Sequence, residues 1–156
     1  MTTPPFPAVV FDLDGTLTVS GTTRPAPGVV ALVEALHARG VDLAVATSAS
    51  TAVARRVLDD LGVRGCFASV AGRGIDGRYD GKDAVVGEAL LGLGVTEAAP
   101  GTPMLGDGPG DMAAAVARGL VPVGVGWGGA SEEALRAAGA VVVLRRPDEL
   151  WSLGAS

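Results

Sequence analysis

Val9-Val10-Phe11-Asp12-Leu13-Asp14-Gly15-Thr16 combines an apolar run with two carboxylates that are two positions apart. The apolar run predicts a buried strand. Alternate residues of a strand point to the same side, so Asp12 and Asp14 can converge just beyond its end. Two carboxylates that close repel each other unless a cation or a shared proton lies between them. The stretch therefore predicts a metal or acid–base site at the end of the first strand.

Short apolar runs and helix-like segments alternate along the rest of the chain. The runs are continuous rather than alternating in polarity, which is typical of parallel strands buried on both faces. We predict strands over residues 7–11, 41–46, 66–70, 103–106, 121–125 and 141–144, and helices over 28–38, 51–61, 84–93, 111–118 and 132–138. This order predicts an α/β fold, a three-layer sandwich in which a mostly parallel, Rossmann-like sheet carries helices on both faces. With no internal repeat or linker, residues 1–156 are expected to form one domain.

The composition argues against several classes of protein. The net charge of −5 and the lack of clustered basic residues argue against a nucleic-acid partner. The single cysteine, Cys66, excludes an intramolecular disulfide and a multi-cysteine zinc site, and an apolar neighbour favours a buried structural thiol. No apolar run approaches the roughly 18 residues of a membrane span, and residues 1–7 lack the pattern of a signal peptide. We expect a cytoplasmic protein without a membrane partner.

A second acidic cluster follows the fourth predicted strand, in Gly106-Asp107-Gly108-Pro109-Gly110-Asp111. Helix capping alone would explain Asp111 but not Asp107, which suits a strand poorly and lies too early to be a cap. In open α/β sheets, ligands bind beyond the carboxyl ends of the strands, so both acid pairs can share one crevice. Their chemistry predicts a site for a hard cation, Mg²⁺, held by carboxylates and substrate phosphate.

Three further polar residues are candidates for binding a phosphoryl group. Thr47 and Ser48 end the second predicted strand, where they could be simple helix caps or could offer hydroxyls and backbone amides to a phosphate oxygen. Lys82 is the only lysine among twelve basic residues, and it lies at the start of a predicted helix, where the helix dipole disfavours a cation. A solvated surface lysine is one explanation. We favour a charge that neutralises the carboxylates and an incoming phosphate.

Simpler explanations exist for the two remaining motifs. Asp-Gly is a common turn signal, and the D-x-D pattern also begins a calcium loop, although such a loop needs a carboxylate where this chain has Thr23. Residues 124–129 match G-x-G-x-x-G, but too little chain follows for the rest of a dinucleotide-binding domain. We expect a glycine-rich loop at the rim of the crevice.

The polar residues, taken in order, resemble the four motifs of the haloacid dehalogenase-like (HAD) phosphohydrolase superfamily. The motifs match the stretch from Asp12 to Thr16, then Thr47, then Lys82, then Gly106-Asp107 with Asp111. The tail Val123-Gly124-Val125-Gly126-Trp127-Gly128, with Glu132-Glu133-Ala134-Leu135 after it, resembles the phosphoglycolate phosphatase branch.

The resemblance implies a role for each matching residue. It implies that Asp12 is a nucleophile that forms an aspartyl-phosphate and that Asp14 protonates the leaving alcohol and then deprotonates water. Asp107 would ligate Mg²⁺ with Asp12 and with Asp14 through its carbonyl, and Asp111 would support the metal. Thr47 and Lys82 would hold the phosphoryl group, with further contacts from Thr16 and Ser48.

The chain departs from that branch between the first two motifs. Phosphoglycolate phosphatases carry a helical cap domain there, whereas residues 17–46 are nearly used up by one helix and one strand, and residues 48–82 are filled likewise. We therefore expect a single HAD core without an inserted cap domain, with water exclusion and substrate selection supplied by a partner subunit, by the substrate or by the loop at residues 18–27.

The expected function is Mg²⁺-dependent hydrolysis of phosphate monoesters, either phosphoglycolate-like small molecules or other organic phosphates. Action on a macromolecular phosphoester, a phosphomutase and a non-catalytic binding module of the same fold are the alternatives. A dinucleotide-dependent oxidoreductase would rest on the glycine loop alone. A homo-oligomer could supply the missing lid.

Overall fold

The computed structural model describes residues 6–74 and 76–153, which form one six-stranded sheet with helices on both faces. All strand pairs are parallel, and the strands lie in the order β3-β2-β1-β4-β5-β6. The strands are β1 (Ala8–Phe11), β2 (Asp42–Ser50), β3 (Ser69–Arg73), β4 (Pro103–Gly106), β5 (Val121–Val125) and β6 (Val142–Leu144). The helices are α1 (Val29–Ala38), α2 (Thr51–Leu61), α3 (Lys82–Gly92), α4 (Pro109–Ala117) and α5 (Glu132–Ala137). The predicted α/β sandwich is confirmed.

Alternate residues of the strands contact different helix layers. Val9 and Phe11 of β1 join a core cluster that contains buried residues of α1 and α2. Val10 between them joins a second cluster, which is built on α3 and α4. Because side chains alternate between the faces of a strand, a sheet covered on both sides needs the continuous apolar runs that the sequence contains.

The boundaries of most elements match those predicted, and β3 is the main exception. We predicted a strand over residues 66–70, but Arg64–Cys66 form a 3₁₀ turn and β3 begins only at Ser69. The ring of Phe67 packs edge-on against Phe11 with 6.0 Å between centroids, so this apolar pair reaches the core without joining the sheet. Cys66 is half-buried rather than buried, and its burial, with a smaller contribution from Glu34, raises the pKa of the thiol.

The order of the strands creates a crevice at one edge of the sheet. The chain moves from β1 outward to β2 and β3, then returns to place β4 on the other side of β1. The carboxyl ends of β1 and β4 therefore flank a switch point, which is where open α/β sheets bind ligands. A hydrogen bond of 2.9 Å from the Asp12 amide to the Leu105 carbonyl holds these two ends together.

The connection from β1 to α1 is compact. It contains one isolated antiparallel bridge, between Thr18 and Pro25, and the Val19 amide donates to the Arg24 carbonyl at 2.9 Å. Among the residues that the structure describes, no helix has the length and apolar character needed to cross a membrane.

Candidate active site

A polar cleft of about 290 Å³ lies at the carboxyl ends of β1, β2 and β4. It brings together side chains that are far apart in the sequence. Its lining residues are Asp12, Asp14, Thr47, Ser48, Tyr79, Lys82, Asp107, Gly110 and Asp111. Seven of the eight residues singled out from the sequence thus share one cleft, and the eighth, Thr16, does not line it.

Lys82 lies between two buried carboxylates. Its Nζ is 2.7 Å from Oδ1 of Asp12 and 2.8 Å from Oδ1 of Asp111, and its side chain is 12% exposed. The position follows from the local fold, because α3 begins at Lys82 directly after Gly81, whose φ of +100° favours glycine. The ammonium therefore faces the cleft at a place where a helix start would otherwise disfavour a cation.

Asp12, Asp107 and Asp111 form a cluster in which one carboxylate oxygen of each residue lies within 4.8 Å of those of the other two. Asp111 is the third residue of α4, and its Oδ2 accepts a hydrogen bond of 3.1 Å from the amide of the N-cap residue, Gly108. Two carboxylates at strand ends and one in the first turn of α4 form a donor set of hard oxygens, which suits Mg²⁺.

Glycines make room for this cluster. A methyl group at Gly15 would collide with the Asp107 carboxylate, and one at Gly106 would collide with the side chain of Asp111. Gly15 also has a φ of +79°, so glycine is favoured there both by the backbone conformation and by the space that the Asp107 carboxylate needs. The two glycines therefore allow the carboxylates of Asp107 and Asp111 to lie close to the backbone, as a compact metal site requires.

The carboxylates outnumber the single cation among them. Burial first, and the charge of Asp111 second, raise the pKa of Asp12 to about 8, although Lys82 acts in the opposite direction. Burial alone would lower the pKa of Lys82, but Asp12 and Asp111 raise it above its ordinary value. Lys82 is thus charged and Asp12 resists ionisation, because the cluster lacks positive charge.

Asp14 is exposed at the mouth of the cleft, unlike the buried Asp12. The Gly21 amide donates to its Oδ1 at 2.9 Å. The compact loop after β1 therefore orients this carboxylate. This loop is the one that the sequence suggested as a small lid, and in the structure it holds Asp14.

The two hydroxyl residues at the end of β2 differ in burial. Thr47 is 2% exposed and its Oγ1 accepts a hydrogen bond of 3.1 Å from the Ala49 amide, whereas Ser48 is exposed. Neither caps α2, because Ser50 does so by accepting from the Val53 amide at 3.1 Å. Both hydroxyls therefore remain at the cleft with no capping role.

Thr16 is buried and does not line the cleft. Its side chain is 1% exposed, and its Oγ1 has no hydrogen-bond partner among the described residues. Its backbone carbonyl accepts a hydrogen bond of 2.9 Å from Nε1 of Trp127. The residue thus ties the loop after β1 to the glycine-rich loop.

The glycine-rich loop after β5 packs on the acidic cluster. The Gly129 amide donates to Oδ2 of Asp107 at 3.2 Å. A methyl group at Gly128 would collide with Asp107 and would lie 2.7 Å from the Gly15 carbonyl. The loop therefore positions Asp107, a role that the G-x-G-x-x-G pattern does not reveal.

Tyr79 lines the cleft and was not predicted from the sequence. It is the only tyrosine in the chain, and it lies three residues before Lys82. Its rarity and its nearness to Lys82 are signals that could have identified it.

Comparison with known proteins agrees with this architecture. A sequence model of the haloacid dehalogenase-like hydrolases matches residues 19–119. The chain is 38% identical over 128 residues to a phosphoglycolate phosphatase of Rhodospirillum rubrum, a match that covers 82% of this chain and 51% of the relative. It is also 38% identical over 101 residues to the tyrosine-protein kinase PtkA of Mycobacterium tuberculosis, covering 65% of this chain and 34% of the relative. The chain thus spans between a third and a half of the length of these relatives.

Solved structures share the fold. The crystal structure of a predicted phosphatase from Clostridium acetobutylicum superposes with a TM-score of 0.83 at 23% identity, covering 94% of this chain and 97% of the other. At that identity the similarity establishes the fold. The family match, which covers more than half of the chain, agrees with the motifs that meet in the cleft, and the chain belongs to the haloacid dehalogenase-like hydrolase family.

Proposed function

We propose that this chain is a Mg²⁺-dependent phosphatase that hydrolyses phosphate monoesters through an aspartyl-phosphate on Asp12. We further propose that residues 1–156 act as one core domain without an inserted cap. The observation that carries the proposal is the position of Lys82 Nζ, 2.7 Å from Asp12 and 2.8 Å from Asp111 in a cleft that holds four aspartates. A domain that only binds uncharged ligands would not require a lysine held between two buried carboxylates.

Lys82 gives the cleft a fixed positive charge next to the nucleophile. A phosphoryl group bound beside Asp12 can accept hydrogen bonds from this ammonium and from the hydroxyls of Thr47 and Ser48, which line the same cleft. Thr16 is buried outside the lining, so its contribution would be to hold the loop after β1 in shape. Phosphoryl transfer depends mainly on such positioning and charge stabilisation.

Asp12 is the residue best placed to attack phosphorus. Its carboxylate forms a bond to the phosphorus atom while the bond from phosphorus to the ester oxygen breaks, leaving an acyl phosphate on Asp12. A water molecule then attacks the same phosphorus, which releases inorganic phosphate and restores the carboxylate. Its contact with Lys82 fixes its orientation.

Asp14 is suited to move the protons of both steps. In the first step it gives a proton to the departing ester oxygen, and in the second it takes one from the attacking water. The Gly21 amide engages only its Oδ1, so among the described residues the other oxygen is left for the proton. Its exposed position at the mouth of the cleft suits exchange with the leaving alcohol and with water.

The acidic cluster would hold Mg²⁺ through Asp12 and Asp107, with Asp111 in support and a further contact from the Asp14 carbonyl. When bound, the ion would offset the charge of the carboxylates and stabilise the oxygens of the phosphoryl group. The donor set and the glycines around it support this assignment.

The relatives suggest small phosphate esters. One is named a phosphoglycolate phosphatase, so phosphoglycolate belongs in the panel of esters to be tested. Another is named a tyrosine-protein kinase, and a kinase transfers the phosphoryl group to a protein hydroxyl instead of to water. The cleft of this chain is open, so water reaches Asp12 unless a substrate or a second copy covers it, and this favours hydrolysis over transfer to a kinase or phosphomutase acceptor.

The test is hydrolysis of a panel of phosphate esters by the wild type, Asp12→Asn and Asp60→Asn. Asp60 is an exposed residue of α2 and provides a matched loss of one carboxylate away from the cleft. We expect Mg²⁺-dependent release of phosphate by the wild type and Asp60→Asn, and a loss of about 10³-fold or more in Asp12→Asn. Equal activity in the three proteins would refute the assignment, and no activity in any would favour a binding module.

A further inference from the structure

The lining of the cleft contains a single side chain with a large apolar surface, that of Tyr79. Every other lining residue is a carboxylate, a hydroxyl, the ammonium of Lys82 or a glycine. The phosphoryl group has all of these polar partners, but a leaving group has only one apolar surface to contact within the cleft. Contact between an apolar leaving group and the cleft must therefore be made by Tyr79.

The ring of Tyr79 is held in place and remains accessible. The guanidinium carbon of Arg73, the last residue of β3, lies 5.1 Å from the ring centroid, a cation–π distance. The residue is nevertheless 37% exposed. An aromatic ring that is anchored and exposed at the mouth of a cleft is preorganised for stacking.

A second cavity of about 400 Å³ adjoins the cleft and shares Tyr79 as a lining residue. The ring thus stands between the site of the phosphoryl group and a space that can receive the rest of the substrate. Gly72 and Gly74 contribute backbone to this cavity, and Thr51 adds a hydroxyl.

The charges around that cavity disfavour an anionic leaving group. Its lining contains Asp76, Asp80 and Glu88 against one cation, Arg78, whose Nε is already 3.0 Å from Asp80. In the cleft itself Lys82 is occupied by two carboxylates. A substrate with a second anionic group, such as phosphoglycolate, would meet repulsion from these carboxylates, and Arg73, which lies over the ring of Tyr79, lines neither cavity.

We propose that Tyr79 selects the leaving group, and that the site favours phosphate monoesters whose neutral leaving group carries an aromatic ring close to the ester oxygen. The proposal rests on the proposed phosphatase function and names its substrate class. Tyr79 acts in it as a specificity-determining residue, since it contacts the leaving group and takes no part in the transfer of phosphate.

The test compares benzyl phosphate with cyclohexylmethyl phosphate, which have leaving alcohols of similar basicity and size but differ in aromaticity. Phosphoglycolate is the anionic comparison. In the wild type we expect kcat/KM for benzyl phosphate to exceed that for cyclohexylmethyl phosphate by about two- to tenfold, the range that aromatic stacking supplies. Tyr79→Phe should keep the ratio, whereas Tyr79→Leu and Tyr79→Ala should bring it close to one. Phosphoglycolate should be the poorest substrate in every variant.

Two further esters distinguish the sources of such a ring. Tighter binding of phenyl phosphate than of adenosine 5′-monophosphate to Asp12→Asn with Mg²⁺ would identify an aryl phosphate as the preferred form of this substrate class. The reverse order would show that the ring need not lie close to the ester oxygen and would overturn that part of the proposal. The ester that binds more tightly should lose its advantage in affinity over cyclohexylmethyl phosphate when Tyr79→Ala is added to Asp12→Asn. Retention of that advantage in Tyr79→Ala would overturn the proposal.

A binding measurement separates this proposal from the proposed function. Calorimetry with Asp12→Asn and Mg²⁺ should show tighter binding of benzyl than of cyclohexylmethyl phosphate, and the addition of Tyr79→Ala should abolish the difference. Such binding without turnover by the wild type would refute the phosphatase function and leave the selectivity of Tyr79 standing. Hydrolysis of all the esters with ratios unchanged by Tyr79→Ala, or equal binding of the two esters, would overturn the proposal about Tyr79.

Discussion

Lys82 Nζ lies 2.7 Å from Oδ1 of Asp12, a residue 70 positions earlier in the chain, and both groups are almost fully buried. The same ammonium also contacts Asp111. One cation therefore compensates two carboxylates, one at the end of β1 and one in the first turn of α4. This arrangement makes the site sensitive to the loss of any one of the three residues.

Replacement of Lys82 by Met should destabilise the metal-free protein by about 3 kcal/mol, because it leaves two buried carboxylates without a partner. The measurement is urea unfolding with a chelator present above about pH 8, where Asp12 is ionised in the wild type. Adding Asp12→Asn to Lys82→Met should restore part of the loss, since one uncompensated charge is removed. A Lys82→Met variant as stable as the wild type would contradict this account of the ion pairs.

The stability of the metal-free protein should fall as the pH rises towards about 8. The folded protein holds Asp12 with a pKa raised to about 8 from an ordinary value of 3.8, so folding favours the protonated carboxyl. The contribution of protonated Asp12 to the free energy of unfolding is complete below about pH 4. It is lost as the pH rises through the folded-state pKa of about 8. Lys82 adds no change in this interval, since its raised pKa lies above the ordinary lysine value.

The comparison that isolates this effect is urea unfolding of the wild type and Asp12→Asn between about pH 5 and pH 8, with a chelator present. The wild type should lose stability relative to the variant across the interval. A constant difference between the two proteins would show that Asp12 does not titrate in this range.

Mg²⁺ should raise the melting temperature of the wild type, because an ion that binds only the folded state stabilises it. Asp107→Asn should lose most of this increase, since the amide keeps the shape of the side chain and removes a charged ligand. Asp60→Asn is the control and should keep the full increase. An equal increase in Asp107→Asn and the wild type would place the ion elsewhere.

Gly128→Ala should destabilise the protein by about 1–3 kcal/mol and weaken Mg²⁺ binding, because its methyl group collides with Asp107. Gly65→Ala is the matched control, as a methyl group there meets no other atom within 4 Å and the residue has no positive φ. Denaturation and calorimetric titration with Mg²⁺ measure the two effects. Unchanged Mg²⁺ affinity in Gly128→Ala would separate the glycine-rich loop from the metal site.

The alternation of apolar runs and helical segments was sufficient to predict the fold. Strands buried on both faces have continuous apolar sequences, and parallel strands bring their carboxyl ends to one edge, so Asp12 and Asp107 could be placed together without a structure. The error at β3 has a physical cause. Phe67 follows a 3₁₀ turn and packs half-buried against the core, and an apolar pair of residues does not reveal whether a turn or a strand brings it there.

Other features depend on contacts that a linear pattern cannot contain. Tyr79 lines the cleft from the segment just before α3, and that segment has no regular sequence pattern that would place the ring there. The glycine-rich loop matches a dinucleotide-binding motif in sequence. In the structure the Gly129 amide instead binds Asp107, and the Trp127 indole binds the carbonyl of Thr16. Ser50 caps α2 because β2 continues beyond the point where its apolar run ends.

Identification of the phosphorylated residue tests the central proposal most directly. The wild-type protein is mixed with Mg²⁺ and benzyl phosphate, quenched with acid during turnover and digested, and its peptides are analysed by mass spectrometry. We expect phosphate on Asp12 in the wild type and in Asp60→Asn, and none in Asp12→Asn. Sustained hydrolysis by Asp12→Asn, or turnover with the phosphate attached to a different residue, would contradict the proposed role of Asp12.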